Sequence, residues 1–223
     1  AYHDREYIEC IGGAVMELMG GGGHDRELWL RARERYLDPA DPLAPCMSDV
    51  VPDEAKVMCL MYHTPRLWEL AGINLGMPDA ARFATAFAFC DEISHTEPAL
   101  REACFGGFGK EFLPSVVARD IRRDVQYSDA QLATVVAWCL EAPAQDGREA
   151  CVAEAVASAF WGGEKDPSTA FRLCAAAAEA SQETRCYDKL IGEIRQYTAG
   201  PTRPELSARL PLEHRGACEA EGK

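Results

Sequence analysis

The chain has 223 residues, with 23 Lys and Arg against 36 Asp and Glu for a net charge of −13. That length allows one domain or a short repeat array with a real core. The acidity argues against nucleic-acid binding, which needs a basic patch, and no run approaches the ~18 uninterrupted apolar residues of a membrane span.

Taken in chain order, the pattern is helical. The first segment reads Cys10-Ile11-Gly12-Gly13-Ala14 with Glu17 behind it. The tetraglycine Gly20 to Gly23 is expected to be flexible, and Leu37 to Pro45 extended. Ser48 or Asp49, with Pro52, starts a helix through Met58, Met61 and Tyr62. His63 then precedes Thr64-Pro65 at an expected helix end. Cys104-Phe105-Gly106-Gly107-Phe108 opens another helix, and Arg119, Arg122 and Arg123 alternate with Asp120 and Asp124 as a solvated face. Ser128 and Gln131 form a capping box before Leu132, Val135, Val136, Cys139 and Leu140, which recur at helical spacing. Asp166-Pro167 caps a helix through Phe171 and Cys174. Tyr187, Leu190, Ile191, Ile194 and Tyr197 follow Cys186, and Gly200-Pro201 stops that helix. Residues 198–213, with Pro201, Pro204 and Pro211, read as an extended arm. Sustained period-two strand text is absent.

Cysteine is the ruler of this chain. Eight of its ten cysteines fall into four pairs with eleven to thirteen residues between them: Cys46 with Cys59, Cys90 with Cys104, Cys139 with Cys151, and Cys174 with Cys186. An even count at regular spacing favours disulfides and an oxidising compartment. Zinc fits poorly, because its ligands come as close pairs and no two cysteines here lie within ten residues. Each first cysteine closes an apolar run, and each second one follows polar, often basic text and opens a helix. Second-class cysteines recur at 10, 59, 104, 151 and 186, which is the length of a helix-hairpin repeat. The expected architecture is therefore all-α: disulfide-stapled helix hairpins over 1–197 forming a short α-solenoid, then the proline-rich arm over 198–223. Each staple closes a short loop and stabilises by about 3 kcal/mol in the chain-entropy treatment. Cys10 and Cys218 are left over. A first-class partner for Cys10 would lie upstream, and the even count favours a tie between Cys10 and Cys218, the alternative being that each is free or bonds another chain.

The string from Cys10 to Glu17, then Tyr36-Leu37 with Asp41-Pro42-Leu43-Ala44-Pro45-Cys46, then the staples ending at Cys186, resembles a family of exported bacterial cysteine-rich helical-repeat proteins. The resemblance covers roughly residues 8 to 195 and implies fold and compartment, since the family has no established activity. A looser likeness is to secreted Sel1-like repeats, whose cysteines stand closer together. No signal peptide is visible, and the chain opens with Ala-Tyr-His-Asp. That fits a mature periplasmic or extracellular protein whose export signal has been removed.

Chemistry is sparse in the text. Gly106-Gly107-Phe108-Gly109-Lys110 lacks the spacing of a phosphate loop, and Glu111 stands where the hydroxyl residue belongs. Its glycines are expected to let helices approach closely. Glu17, Glu111 and Glu193 each stand seven residues after a second-class cysteine. They read as repeated caps or ion pairs, or else as a carboxylate cluster. His24, His63 and His95 lack metal spacing, and no G-x-S-x-G nucleophile motif is present. No cofactor, metal or catalytic residue is expected. Trp29, Trp68, Trp138 and Trp161 are mostly core, with Trp161 and the arm prolines Pro201, Pro204 and Pro211 as candidate partner contacts. The expected function is a non-catalytic scaffold or accessory subunit that binds another protein, in concrete form a periplasmic subunit of a membrane-anchored (redox) complex. The alternative is a metal-binding or enzymatic site assembled across repeats.

Overall fold

The computed structural model describes residues 2–21, 25–119, 127–162, 167–177, 179–198 and 200–219, with the side chains of 2–5, 161, 162, 180 and 219 left out. Within these the chain is helical, with two isolated bridges, Asp38–Asp41 and Asn74–Met77, and no strand. The helices are α1 Tyr2–Gly20, α2 Arg26–Tyr36, α3 Asp53–Leu70, α4 Phe83–Asp91, α5 Pro98–Ser115, α6 Asp129–Cys139, α7 Gln145–Gly162, α8 Ser168–Ala175, α9 Ala180–Tyr197, α10 Thr202–Ser207 and α11 Leu212–Glu219.

Local signals explain several boundaries. Asp25 caps α2 by accepting from the Leu28 N–H at 2.9 Å. The capping box at α6 is present, with Ser128 and Gln131 bonded reciprocally. Pro98 opens α5, where a missing N–H costs nothing. Pro52 sits at the cap of α3 and Pro167 at that of α8. Asp166 lies outside the described residues.

The odd-numbered helices build one continuous layer, α1 on α3, α3 on α5, α5 on α7 and α7 on α9. α4, α6 and α8 form a second layer, each against its odd-numbered neighbours. The core runs between the layers. Trp68 is fully buried against Phe83, Phe108 and Phe112, while Trp138 meets Phe83 and Phe112 edge-on. Burying such a side chain stabilises by roughly 1.5–3 kcal/mol.

All four staples form, with Cα–Cα distances of 5.4 to 5.7 Å. Cys59, Cys104, Cys151 and Cys186 are each the seventh residue of their helix. Cys90, Cys139 and Cys174 lie at or near the ends of α4, α6 and α8. Cys46 departs from this, standing in a string of turns ten residues beyond α2. That segment was expected to be extended. It turns instead because Asp38 and Asp41 accept the amides of Ala40 and Leu43, which buries Leu43 and Ala44.

A second device recurs at fixed offsets. Arg101 and Arg148 each stand three residues before the second cysteine of a staple. Arg101 donates to the Ile93 carbonyl at 2.9 Å and Arg148 to the Ala142 carbonyl at 2.9 Å, each three residues past the first cysteine. Each then reaches an acid at the start of the next odd-numbered helix, Asp146 at 3.0 Å and Glu179 at 3.6 Å. One guanidinium thus satisfies orphan carbonyls at a helix end and ties two hairpins together.

Glycines set the helix spacing. A Cβ on Gly107 would lie 2.8 Å from the Met61 carbonyl oxygen of α3, which Pro65 has no N–H to engage. A Cβ on Gly109 would overlap the Cys151 carbonyl of α7 and stand 2.8 Å from the Ala155 nitrogen. The expectation that these glycines serve close packing holds at both.

Several expectations need correction. α3 runs through Pro65, so His63 lies inside a helix and is fully buried. The expected arm forms α10 and α11, which pack on α9 and bury Leu206, Leu210 and Cys218 in the common core. Its prolines mark helix starts: Pro201 precedes α10, Pro204 lies in the first turn and Pro211 precedes α11. Arg119 is in a tight turn after α5, bonded to Glu111 and to the Leu75 carbonyl, so it does not stand free on a solvated face, while Asp120, Arg122, Arg123 and Asp124 lie outside the described residues.

Candidate functional site

The staples bring the first turns of α5, α7 and α9 to one edge of the layer. Between them lies a cavity of about 260 Å³ lined by His95, Arg101, Glu102, Phe105, Asp146, Glu149 and Arg185, with Pro98 and Ala150. Arg101 anchors it at 2% exposure, with bonds to Asp146 and Asp91 at 3.0 Å each beside the Ile93 carbonyl. Its guanidinium also sits 5.3 Å from the ring of buried Phe105. Burial opposes the charge on Arg101, but the hydrogen bonds and charges of Asp146 and Asp91 outweigh it and raise the pKa. Burial likewise works against ionised Asp146, and the Arg101 contact overrides it and holds the carboxyl below its ordinary value. Across the mouth Arg185 pairs with Glu102, and Gln145 donates to Glu149 at 2.8 Å.

This lining carries two guanidinium groups and three carboxylates, and the buried cation is fully engaged. Asp146 and Glu149 remain partly open, so the groove is net acidic above an aromatic floor. Among the described residues it is lined by no serine, threonine or cysteine nucleophile. Its volume falls below the ~300–1,000 Å³ of small-molecule pockets and suits one long side chain.

A second polar group spans the same layer. Glu111 is buried between Lys110 and Arg119, whose charges hold its carboxyl below its ordinary value against the effect of burial. Lys189 bridges Glu154 at 2.5 Å and Glu193 at 3.5 Å. The glutamates seven residues after Cys104 and Cys186 therefore act in ion pairs. Glu17 is exposed on α1, and the three do not converge. Among the described residues no three His, Cys, Asp or Glu are grouped to hold a metal ion.

The other candidates separate. Cys10 is exposed on α1 and Cys218 buried on α11, so the expected tie does not form. Their helices lie at opposite ends of the layer, with α3, α5 and α7 between. Cys218 instead takes a hydrogen bond from the Ser207 hydroxyl at 2.6 Å. Trp161 stands in the last turn of α7 with its side chain outside the described set, and His24 lies wholly outside it. Pro201 and Pro204 are exposed, and Pro211 is half-buried. His95 is exposed at the groove. His63 has Nε2 at 2.7 Å from the Pro42 carbonyl and Nδ1 buried without a partner. Burial is the main force lowering its pKa to about 4, with Arg66 adding to it.

Sequence reasoning missed the groove. The usable signal was the basic residue three positions before the second cysteine, at Arg101 and Arg148. No protein family, curated protein or solved structure matches this chain. No helix among the described residues is long and apolar enough to cross a membrane.

Proposed function

We propose that this chain is an exported, non-catalytic scaffold that binds another protein, a short α-solenoid of stapled hairpins whose groove receives a basic side chain of its partner. A periplasmic accessory subunit docked on a membrane-anchored redox complex is the concrete form. The observation that carries the reading is the groove itself: its volume fits one side chain, its charge balance is acidic, and its buried arginine is committed to the fold. Repeated offsets of staple, arginine and acid support the solenoid, because each hairpin is tied to its sequence neighbours. Four staples and an acidic surface suit an oxidising compartment and a basic partner.

The test is native purification with identification of co-purifying chains, repeated with Glu149→Arg. Glu149 is half-exposed, so the variant fills the groove without disturbing the Arg101 contacts. A stoichiometric partner that is lost from the variant supports the proposal. A partner retained at equal yield would remove the groove from the reading, and stoichiometric bound metal with no partner would overturn the scaffold.

A further inference from the structure

Arg185 departs from the repeat that places the other arginine of the groove. The two staples before it carry Arg-Glu-Ala-Cys, at Arg101 to Cys104 and at Arg148 to Cys151, whereas the last carries Glu-Thr-Arg-Cys, at Glu183 to Cys186. The basic residue has moved from three places before the cysteine to one. Arg101 and Arg148 turn to the preceding loop and cap carbonyls there. Arg185 stands where the earlier staples bury Ala103 and Ala150, and its side chain is 41% exposed. Its guanidinium reaches from α9 past α7 to Glu102 of α5, 83 residues away in the chain.

The acids of the rim do follow the repeat. Glu102 and Glu149 each stand two residues before the second cysteine, on α5 and α7, and both line the cavity with Asp146. Glu149 accepts from Gln145 on its own helix, while Glu102 is the carboxylate that Arg185 holds.

The two guanidinium groups of the groove are therefore held on opposite terms. Arg101 is buried and bonded to Asp91, Asp146 and the Ile93 carbonyl, so it is part of the wall. Arg185 and Glu102 are both nearly half-exposed. Water and salt screen a pair of that kind, and it adds little to stability. The fold gains little from Arg185, yet Arg185 occupies a carboxylate of the groove's mouth.

We propose that Arg185 is a resident stand-in for the partner: the side chain that the groove receives is an arginine, and docking exchanges its guanidinium for that of Arg185 on Glu102. This rests on the groove as the docking site and names the residue type it takes. Glu102 already holds a guanidinium, and Glu149 and Asp146 line the same cavity with their carboxylates partly open. A planar guanidinium presents its donors as a fixed fork that can engage neighbouring carboxylates together, whereas an ammonium is a strongly hydrated point charge. Arg185 is half in water already and leaves without breaking a buried contact, while Arg101 and the acids it holds stay in place. A weaker cation must compete with a tethered guanidinium, so the resident sharpens selectivity while lowering affinity.

The test uses n-butylguanidinium and n-butylammonium, the head groups of arginine and lysine, titrated into the full chain with its disulfides intact and followed by NMR. The guanidinium is expected to move the Arg185 Nε–H signal and to bind more tightly than the ammonium. Arg185→Gln removes an exposed pair and keeps the fold, and it is expected to tighten guanidinium binding by about threefold, the order set by a surface ion pair. Glu102→Gln is expected to weaken guanidinium binding, and Glu149→Arg to block both probes. Equal affinity in the natural chain and Arg185→Gln, with Glu149→Arg still blocking, would overturn the exchange and leave the groove as a docking site. Ammonium binding as tight as guanidinium would overturn the choice of arginine. Failure of every chain to bind either probe in the tens of millimolar would remove the groove itself, and the stand-in with it.

Discussion

His63 gives the sharpest quantitative test of the structure. Its Nε2–H donates to the Pro42 carbonyl, which pins the turn segment before Cys46 onto α3, and the ring is completely enclosed. The neutral form is the one that fits. Folding lowers its pKa from an ordinary 6.5 to about 4, mainly through burial. The unfolded chain thus binds more protons between these values, and stability must rise with pH across that window. The contribution is full above the unfolded value and is lost progressively as pH falls toward the folded one. Between pH 7 and pH 5 the loss from this residue is about 2 kcal/mol, and the limiting value is about 3 kcal/mol. For a chain of this size that lowers the Tm by roughly 4–7 °C. Glu111 and Asp146 also have depressed pKa values, but their contributions are lost only below the ordinary carboxylate range, outside this window. Urea unfolding at pH 7 and pH 5 with the disulfides intact, for the natural chain and His63→Gln, isolates the effect. The natural chain should lose about 2 kcal/mol more than the variant. An equal pH dependence in both would show that His63 is not buried as a neutral ring.

Three further outcomes follow from the packing and the thiols. Gly109→Ala places a methyl into the α7 backbone, which cannot yield as a side chain would, and should cost at least ~2–3 kcal/mol in denaturant unfolding; a loss under 0.5 kcal/mol would contradict the α5–α7 contact. Arg101→Ala strips the Ile93 carbonyl and two carboxylates of their donor. Because Asp91 and Asp146 can be re-solvated, the loss should be about 2–3 kcal/mol and not the ~3–5 kcal/mol of a fully buried broken pair. Arg101→Lys should recover part of it, and equal losses would argue against the multi-point anchor. Thiol titration of the non-reduced monomer should show one group reacting at once, Cys10, and a second only on unfolding, Cys218; finding none in the unfolded chain would restore the discarded tie.

What the sequence made legible was whatever is written locally. The cysteine pairs, the Ser128–Gln131 box and the apolar spacing after Cys186 each sit within one hairpin, and each is realised. Proline misled twice for one physical reason. It forbids an N–H, not a helix, so Pro65 is tolerated inside α3 and the tail prolines stand at helix starts. The groove was invisible because Arg101 and Asp146 are 45 residues apart and Glu102 and Arg185 are 83 apart. Only the stacking of α5, α7 and α9 makes them neighbours. Pairing of Cys10 with Cys218 failed for the converse reason: parity of a count carries no information about distance.

The same offset that makes the staple also makes the groove. With each second cysteine at the seventh position of its helix, the residue three before it points to the preceding loop, where Arg101 and Arg148 cap the carbonyls. Charge is thereby gathered on the rim where the disulfides hold the backbone most firmly, and its arrangement is fixed before any partner arrives. Such preorganisation favours binding, because little side-chain freedom remains to be lost there. The α1–α2 end is built on the opposite terms. Cys10 makes no staple, and α2 buries nothing. There α2 is held to the layer by the Trp29 indole on the Glu17 carbonyl and by Arg33 on Glu69, side-chain contacts in place of a staple.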